Sequence, residues 1–172
     1  MSLLRRTFLA ALLLFPVAAA AQDAPQPELP KEPLVIVTRD GKQHRFMVEM
    51  ALSPKQQEVG LMFRPSVPAD GGMLFDWGSA RTSIMWMKNT IASLDMVFIN
   101  QDGTIRSIAE RTVPGSLAAI DSRGPVRGTL ELAAGTAQRL DIRVGDTVRQ
   151  RIFGNGGGGW GEGSAGALPQ TP

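Results

Sequence analysis

The stretch TSIMWMKNTIASLDMVFINQDG, residues 82–103, decides the fold because it holds two apolar runs, each followed by turn-forming residues. Its last four residues, NQDG, are typical of a hairpin loop. They predict a strand over Leu94–Ile99 that pairs with a strand over residues 104–108. Both faces of the first strand are apolar, which is typical of a central strand covered on two sides.

The first apolar run leads to a prediction about side-chain pairing. If residues 90–93 form a loop, residues 84–89 pair antiparallel with residues 94–99, and Lys88 lies opposite Asp95 on the face that carries Trp86. Two interpretations stay open. A buried ion pair would fix the register, since losing one partner costs roughly 3 to 5 kcal/mol. Alternatively, the polar residues converge above Trp86 and bind a polar ligand.

The flanking sequence predicts more short strands and two short helices. LVIVT and HRFMVEM flank an Asp-Gly pair, which favours a hairpin at the start of the domain. Ser53, Pro54 and Gln56 fit a capping box, so a helix is expected over Pro54–Val59. Further expected elements are strands over residues 71–77, 129–132 and 147–153 and a helical turn over residues 136–140. The sequence therefore predicts a mainly β fold, a compact antiparallel β-sandwich or barrel with one or two short helices.

The two ends differ in composition from this domain. Residues 1–21 combine two arginines, an apolar stretch and an alanine run, which predicts a signal peptide and a periplasmic or secreted protein. Residues 22–33 contain four prolines and are expected to form a linker. Residues 154–172 are glycine-rich and are expected to be a disordered tail. One β domain remains, over residues 34–153.

Composition argues against several classes of function. Removing residues 1–21 leaves 16 basic and 16 acidic residues, spread along the chain, which argues against nucleic acid as a partner. The absence of cysteine excludes thiol catalysis and thiolate metal sites, and the single histidine, His44, excludes a multi-histidine site within one chain. No cofactor is expected. The apolar stretch near the start is too short for a retained membrane anchor, so we expect no stable membrane insertion after cleavage.

Four segments together resemble one known family, domain of unknown function 192. They are EVGLMFR (58–64), GGMLFDW (71–77), WMKNTIASLDMVFI (86–99) and LELAAGTAQRLDIRVGD (130–146). The resemblance implies a compact, mainly antiparallel β domain, often exported, with no assigned biochemical function and no known catalytic residue. Met85 departs from the family pattern where an aromatic residue is common, and Ser93 and Ala133 depart where proline is common.

The candidate ligand-binding residues combine the polar stretch with the positions that match the family. They are Arg64, Trp86, Lys88, Asn89, Thr90, Asp95 and Glu131. They favour a binding or accessory module for a polar small molecule or a cell-envelope polymer. Trp77, Trp86 and Trp160 are candidates for a platform on which a glycan stacks.

Two alternative functions stay open. A metal-independent hydrolase or lyase would use Asp95 as a base and Lys88 as an electrostatic stabiliser, with Glu131 joining them if its strand is adjacent. A Cu(I)-binding protein would use the thioethers of the seven methionines outside the signal peptide. Met85 and Met87 are expected to share a face with Met96, however, and this pattern is typical of core packing.

Overall fold

The computed structural model describes residues 24–156 and shows one sheet of seven strands. The predicted signal peptide and residues 157–172 of the predicted tail lie outside the described residues. The strands are β1 (Lys31–Val37), β2 (Gln43–Ala51), β3 (Gly71–Met85), β4 (Leu94–Ile99), β5 (Ile105–Ala109), β6 (Ile120–Ala133) and β7 (Thr147–Arg149). The helices are α1 (Pro54–Val59), α2 (Thr136–Leu140) and a 3-10 turn over Arg151–Phe153.

The strand order in the sheet is β5-β4-β6-β3-β2-β1-β7. Neighbouring strands are antiparallel except for β2 and β3, which are parallel and joined by the connection that carries α1. The sheet curls until its edge strands meet, with the Ile105 N–H donating to the Asp146 carbonyl at 2.8 Å. The Val148 N–H likewise donates to the Gly103 carbonyl at 2.8 Å. The prediction of a mainly β fold with two short helices is confirmed.

The curled sheet carries an apolar core on each face. Leu74, Val97 and Leu130 belong to one core, which also includes Ile152 and Phe153. The residues beside them along the same strands form the second core, which includes Met73, Phe75, Met96 and Phe98. All six residues of β4 are buried, which confirms the prediction of a central strand covered on both faces.

Several local predictions are confirmed. In α1, the Ser53 hydroxyl accepts from the Gln56 N–H, and the Gln56 side chain accepts from the Ser53 N–H, as in a capping box. The hairpin of β1 and β2 and that of β4 and β5 are antiparallel, as expected from their loops. The segment predicted as a linker differs in part, because β1 begins at Lys31 and the Leu29 N–H donates to the Glu49 carboxylate at 2.7 Å.

The predicted pairing of residues 84–89 with residues 94–99 is wrong. β3 ends at Met85, and β4 pairs with β5 and β6 instead. The physical reason is β6, which runs from Ile120 to Ala133 and lies between β3 and β4 in the sheet. Residues 86–93 therefore form the connection from β3 to β4.

Candidate functional site

Lys88 and Asp95 do not form the ion pair expected from the sequence. The Lys88 ammonium is exposed and lies over the Trp86 ring, 5.2 Å from its centroid. Asp95 is completely buried in β4 and lies opposite Leu132 of β6. The correction follows from the position of β6, which occupies the place beside β4 where residues 84–89 were expected.

The Asp95 carboxylate accepts hydrogen bonds from backbone N–H groups of its own chain. Its Oδ1 accepts from the N–H groups of Arg111 and Gly135, at 2.8 and 3.1 Å, and its Oδ2 accepts from the Ala137 N–H at 2.9 Å. The residue before α2, Gly135, has no side chain to cap that helix. Asp95 therefore supplies the cap from a neighbouring strand and fixes the loop before it.

Arg64 lies in a separate cavity of about 380 Å³. Its guanidinium makes a two-fold ion pair with the Glu49 carboxylate, with Nη1 and Nη2 at 2.5 and 2.9 Å from the two oxygens. Both side chains are largely buried, at 14% and 6% exposure. The pair joins β2 to the segment after α1. None of the other candidate residues lines this cavity.

Asn89 and Thr90 shape the connection between β3 and β4. Asn89 has a φ of 55°, the left-handed conformation that asparagine tolerates better than most residues. Its carbonyl accepts from the Phe63 N–H at 2.8 Å, which ties this connection to the segment after α1. Thr90 is buried, and its N–H donates to the Met87 carbonyl at 3.0 Å.

Three of the candidate residues, Trp86, Thr90 and Glu131, line one pocket, which we call the Glu131 pocket. It has a volume of about 140 Å³ and lies between α1, β3 and the connection that follows β3. Its lining residues are Gln57, Glu58, Val59, Gly60, Leu61, Met62, Phe75, Trp77, Ile84, Met85, Trp86, Thr90 and Glu131. Among the described residues, no lysine or arginine lines the pocket, and its ionisable lining residues are Glu58 and Glu131.

Glu131 is the buried acid of this pocket. It lies in β6 between Met73 of β3 and Met96 of β4, and its residue is only 4% exposed. Among the described residues, none donates a hydrogen bond to its carboxyl group. Burial raises the pKa of Glu131 to about 8, because the apolar surroundings disfavour the charged form. At neutral pH the side chain is therefore mainly a neutral carboxylic acid, able to donate one hydrogen bond and to accept others.

The two tryptophans of the pocket differ in their freedom. Trp77 is fixed, since its Nε1 donates to the Thr129 hydroxyl at 3.2 Å and its ring stacks near Phe75 and Arg81, at 5.6 and 4.4 Å. Trp86 is 47% exposed. Its exposed surface is available to a bound molecule.

Sequence reasoning missed the part of the pocket supplied by α1. The Gln57 Nε2 donates to the carbonyls of Ala51 and Asp76, at 3.1 and 2.6 Å, and its Oε1 accepts no hydrogen bond from a described residue. Gly60 ends the helix with a φ of 50°, and a side chain there would lie 3.0 Å from the Phe75 ring. The glycine in the EVGLMFR segment was the available signal, because glycine allows this close approach.

The methionines lie mostly in the core. Met50, Met73, Met87 and Met96 are at most 1% exposed, and the Thr112 hydroxyl contacts the Met87 sulfur at 3.1 Å. Within residues 24–156, no three His, Cys, Asp or Glu side chains cluster closely enough to hold a metal ion. No helix in this described part of the chain is long and apolar enough to cross a membrane.

Fold and pocket together define a curled β-sheet with a small pocket whose lining includes three aromatic residues. The family of domain of unknown function 192, described as Uncharacterized ACR, matches residues 35–150, and the chain belongs to it. The resemblance predicted from the four sequence segments is therefore confirmed. No curated protein matches the chain.

The solved structures similar to the chain include two crystal structures. One is of a protein from Sinorhizobium meliloti 1021 whose name suggests a transcription regulator, with 48% identity and a TM-score of 0.72. The similarity covers 74% of this chain and 98% of that one. The other is of a protein of unknown function from Novosphingobium aromaticivorans DSM 12444, with 33% identity, a TM-score of 0.69, and coverage of 76% and 94%.

Proposed function

We propose that this domain binds a polar small molecule, or one unit of a cell-envelope polymer, in the Glu131 pocket. The observation that carries the proposal is the carboxyl group of Glu131, which is buried beside a pocket and has no hydrogen-bond partner among the described residues. The fully buried unpaired side-chain atoms of the described residues are His44 Nε2 and Arg64 Nε, so the Glu131 oxygens still reach the surface of the pocket, where a ligand can contact them. A bound ligand would supply the missing partner, which is a physical reason to keep an acid at this position.

The placement of the other candidates favours binding over the hydrolase or lyase that the sequence left open. Both oxygens of Asp95 already accept backbone hydrogen bonds, so this carboxylate is poorly placed to take a proton from a substrate. Lys88 lies on Trp86, away from Asp95. The described lining pairs Glu131 with an amide and a hydroxyl and with no second buried acid or base, and this favours holding a ligand over splitting one.

The place of action is proposed to be the periplasm or the extracellular space. The support is the composition of residues 1–21, which combines paired arginines, an apolar stretch and an alanine run. The name of the Sinorhizobium protein suggests a transcription regulator, but the balanced charge of residues 22–172 does not favour nucleic acid as a partner of this chain. A cell-envelope ligand fits an exported domain better.

The proposal is tested by titrating the protein with small polar probes and following backbone NMR shifts. The probes are myo-inositol, acetamide, acetate and ethylamine, compared on wild type, Glu131→Leu and Glu110→Gln. Glu110 is exposed and lies outside the pocket lining, so it controls for the loss of one carboxylate. We expect saturable shifts of α1 and Trp86 resonances in wild type and Glu110→Gln that disappear in Glu131→Leu. Equal binding by Glu131→Leu, or no saturable binding by any probe, would contradict the proposal.

A further inference from the structure

We infer that the ligand of the Glu131 pocket is a neutral sugar unit, either free or at the end of a glycan. This inference rests on the proposed function and adds the class of ligand. Three properties of the pocket carry it: its size and aromatic walls, its hydrogen-bonding groups, and the charge of its lining.

The size and the walls of the pocket fit one sugar ring. The volume of about 140 Å³ is on the scale of one six-membered ring and too small for two. Phe75 and Trp77 form part of the wall, and the half-exposed Trp86 lies where a ring could pack against its indole. The C–H face of a sugar packs well on an aromatic face, which is how amphipathic rings are often recognised.

The hydrogen-bonding groups match a molecule with several hydroxyls. Each sugar hydroxyl both donates and accepts, so it needs partners of both kinds. A protonated Glu131 offers a donor and an acceptor, and the free Oε1 of Gln57 offers an acceptor. The Thr90 hydroxyl donates to the Lys88 carbonyl at 3.3 Å and still offers an acceptor. An apolar ligand would leave these groups unpaired.

The charge of the lining favours a neutral ligand. The described residues that line the pocket include no cation: Arg81 lies over Trp77 and Lys88 over Trp86, beside the pocket and outside its lining, so an anion would lose water without gaining a charged partner in the lining. A cation would need an ionised Glu131, which burial disfavours. The other acid of the lining, Glu58 of α1, is exposed and lies 3.6 Å from Lys55, so its charge is already balanced.

The inference is tested by titrating the full chain with sugars and following tryptophan fluorescence and NMR shifts. The probes are glucose, galactose, mannose, N-acetylglucosamine, glucuronate and glucosamine, followed by disaccharides of any sugar that binds. Variants are Trp86→Ala, Trp86→Phe and Glu131→Gln, with Leu117→Ala as the control. Leu117 is an exposed apolar side chain at 69% exposure and does not line the pocket.

We expect at least one neutral sugar to bind, with an affinity at least tenfold lower in Trp86→Ala and in Glu131→Gln. Trp86→Phe keeps an aromatic face and is expected to lose less, and Leu117→Ala is expected to bind as wild type does. Disaccharides that bind as tightly as the monosaccharide, or more tightly, would identify a glycan end, whereas weaker binding would identify the free sugar.

Three outcomes would overturn the inference. If no sugar binds while the polar probes still bind in a Glu131-dependent way, the ligand class is wrong and the proposed function stands. If glucuronate or glucosamine binds more than tenfold tighter than every neutral sugar, the ligand is charged. If sugars bind equally to Trp86→Ala and Glu131→Gln, they bind elsewhere. Failure of sugars and polar probes alike would remove the proposed function as well.

Discussion

Glu131 is the residue whose ionisation links the pocket to the stability of the fold. Its pKa is raised from 4.5 in its ordinary state to about 8 by burial. Below pH 4.5 the carboxyl is protonated in both the folded and the unfolded chain, so stability is fully present. Between pH 4.5 and 8 unfolding releases a proton, and the free energy of unfolding falls by about 1.4 kcal/mol per pH unit. Above pH 8 the loss is complete.

This pH dependence gives the first prediction, because Glu131→Gln cannot ionise. From pH 5 to 8, the free energy of unfolding of Glu131→Gln is expected to rise relative to that of wild type by about 1.4 kcal/mol per pH unit. Urea unfolding at pH 5, 6, 7 and 8 measures it. Glu110→Gln, which removes an exposed acid, is expected to follow wild type in parallel. Parallel curves for Glu131→Gln would show that the acid is not kept neutral by burial.

The second prediction concerns the stability of Asp95 and Lys88 variants. If the two residues formed an ion pair, both variants would lose similar stability, whereas the observed arrangement predicts unequal losses. Asp95→Asn places an amide N–H₂ against backbone N–H groups, so we expect a loss of roughly 3 kcal/mol. Lys88→Met removes an exposed cation from Trp86 and is expected to cost less than about 1 kcal/mol. Equilibrium unfolding measures both. Equal, large losses of unfolding free energy in both variants would instead indicate that the two residues form an ion pair.

Helix α1 and the hairpins show what a sequence can reveal about single elements. The capping box of α1 involves residues within four positions of each other, and the Asp-Gly loops act on the strands beside them. All residues of such a signal are close together in the sequence, so the element can be predicted from the sequence alone. The same holds for the exact ends of β4, which is bounded by a polar connection and by its hairpin loop.

β6 shows what a sequence does not reveal. Only residues 129–132 were expected to form a strand, because Gly124, Pro125 and Gly128 interrupt the first part of β6 and are unfavourable in a central strand. The register shifts between β3 and β6 accommodate this irregular half. Without β6 in its place, residues 84–89 were expected to be the second neighbour of β4, on the side away from residues 104–108, and the false pairing of Lys88 with Asp95 followed.

The candidate site was predictable only in part for the same reason. Trp86, Thr90 and Glu131 were found through the polar stretch and the family resemblance, and the structure brings these three to one pocket. Gln57 and Gly60 were missed because α1 reaches the pocket only through the parallel pairing of β2 and β3. A contact between elements far apart in the chain depends on the sheet order, which no local pattern states.

The last prediction concerns the residues after β7, which pack against the curled sheet. Ile152 and Phe153 belong to the core shared with β1, and Arg151 makes a two-fold ion pair with Glu32 at 2.7 Å. A chain ending at Arg149 lacks these groups, so we expect it to lose more than about 3 kcal/mol relative to a chain ending at Gly156. Urea unfolding compares the two, with Arg151→Ala in the longer chain as the control for the exposed ion pair, expected to cost less than about 1 kcal/mol. Equal stability of both chains would mean that the sheet closes through β5 and β7 alone.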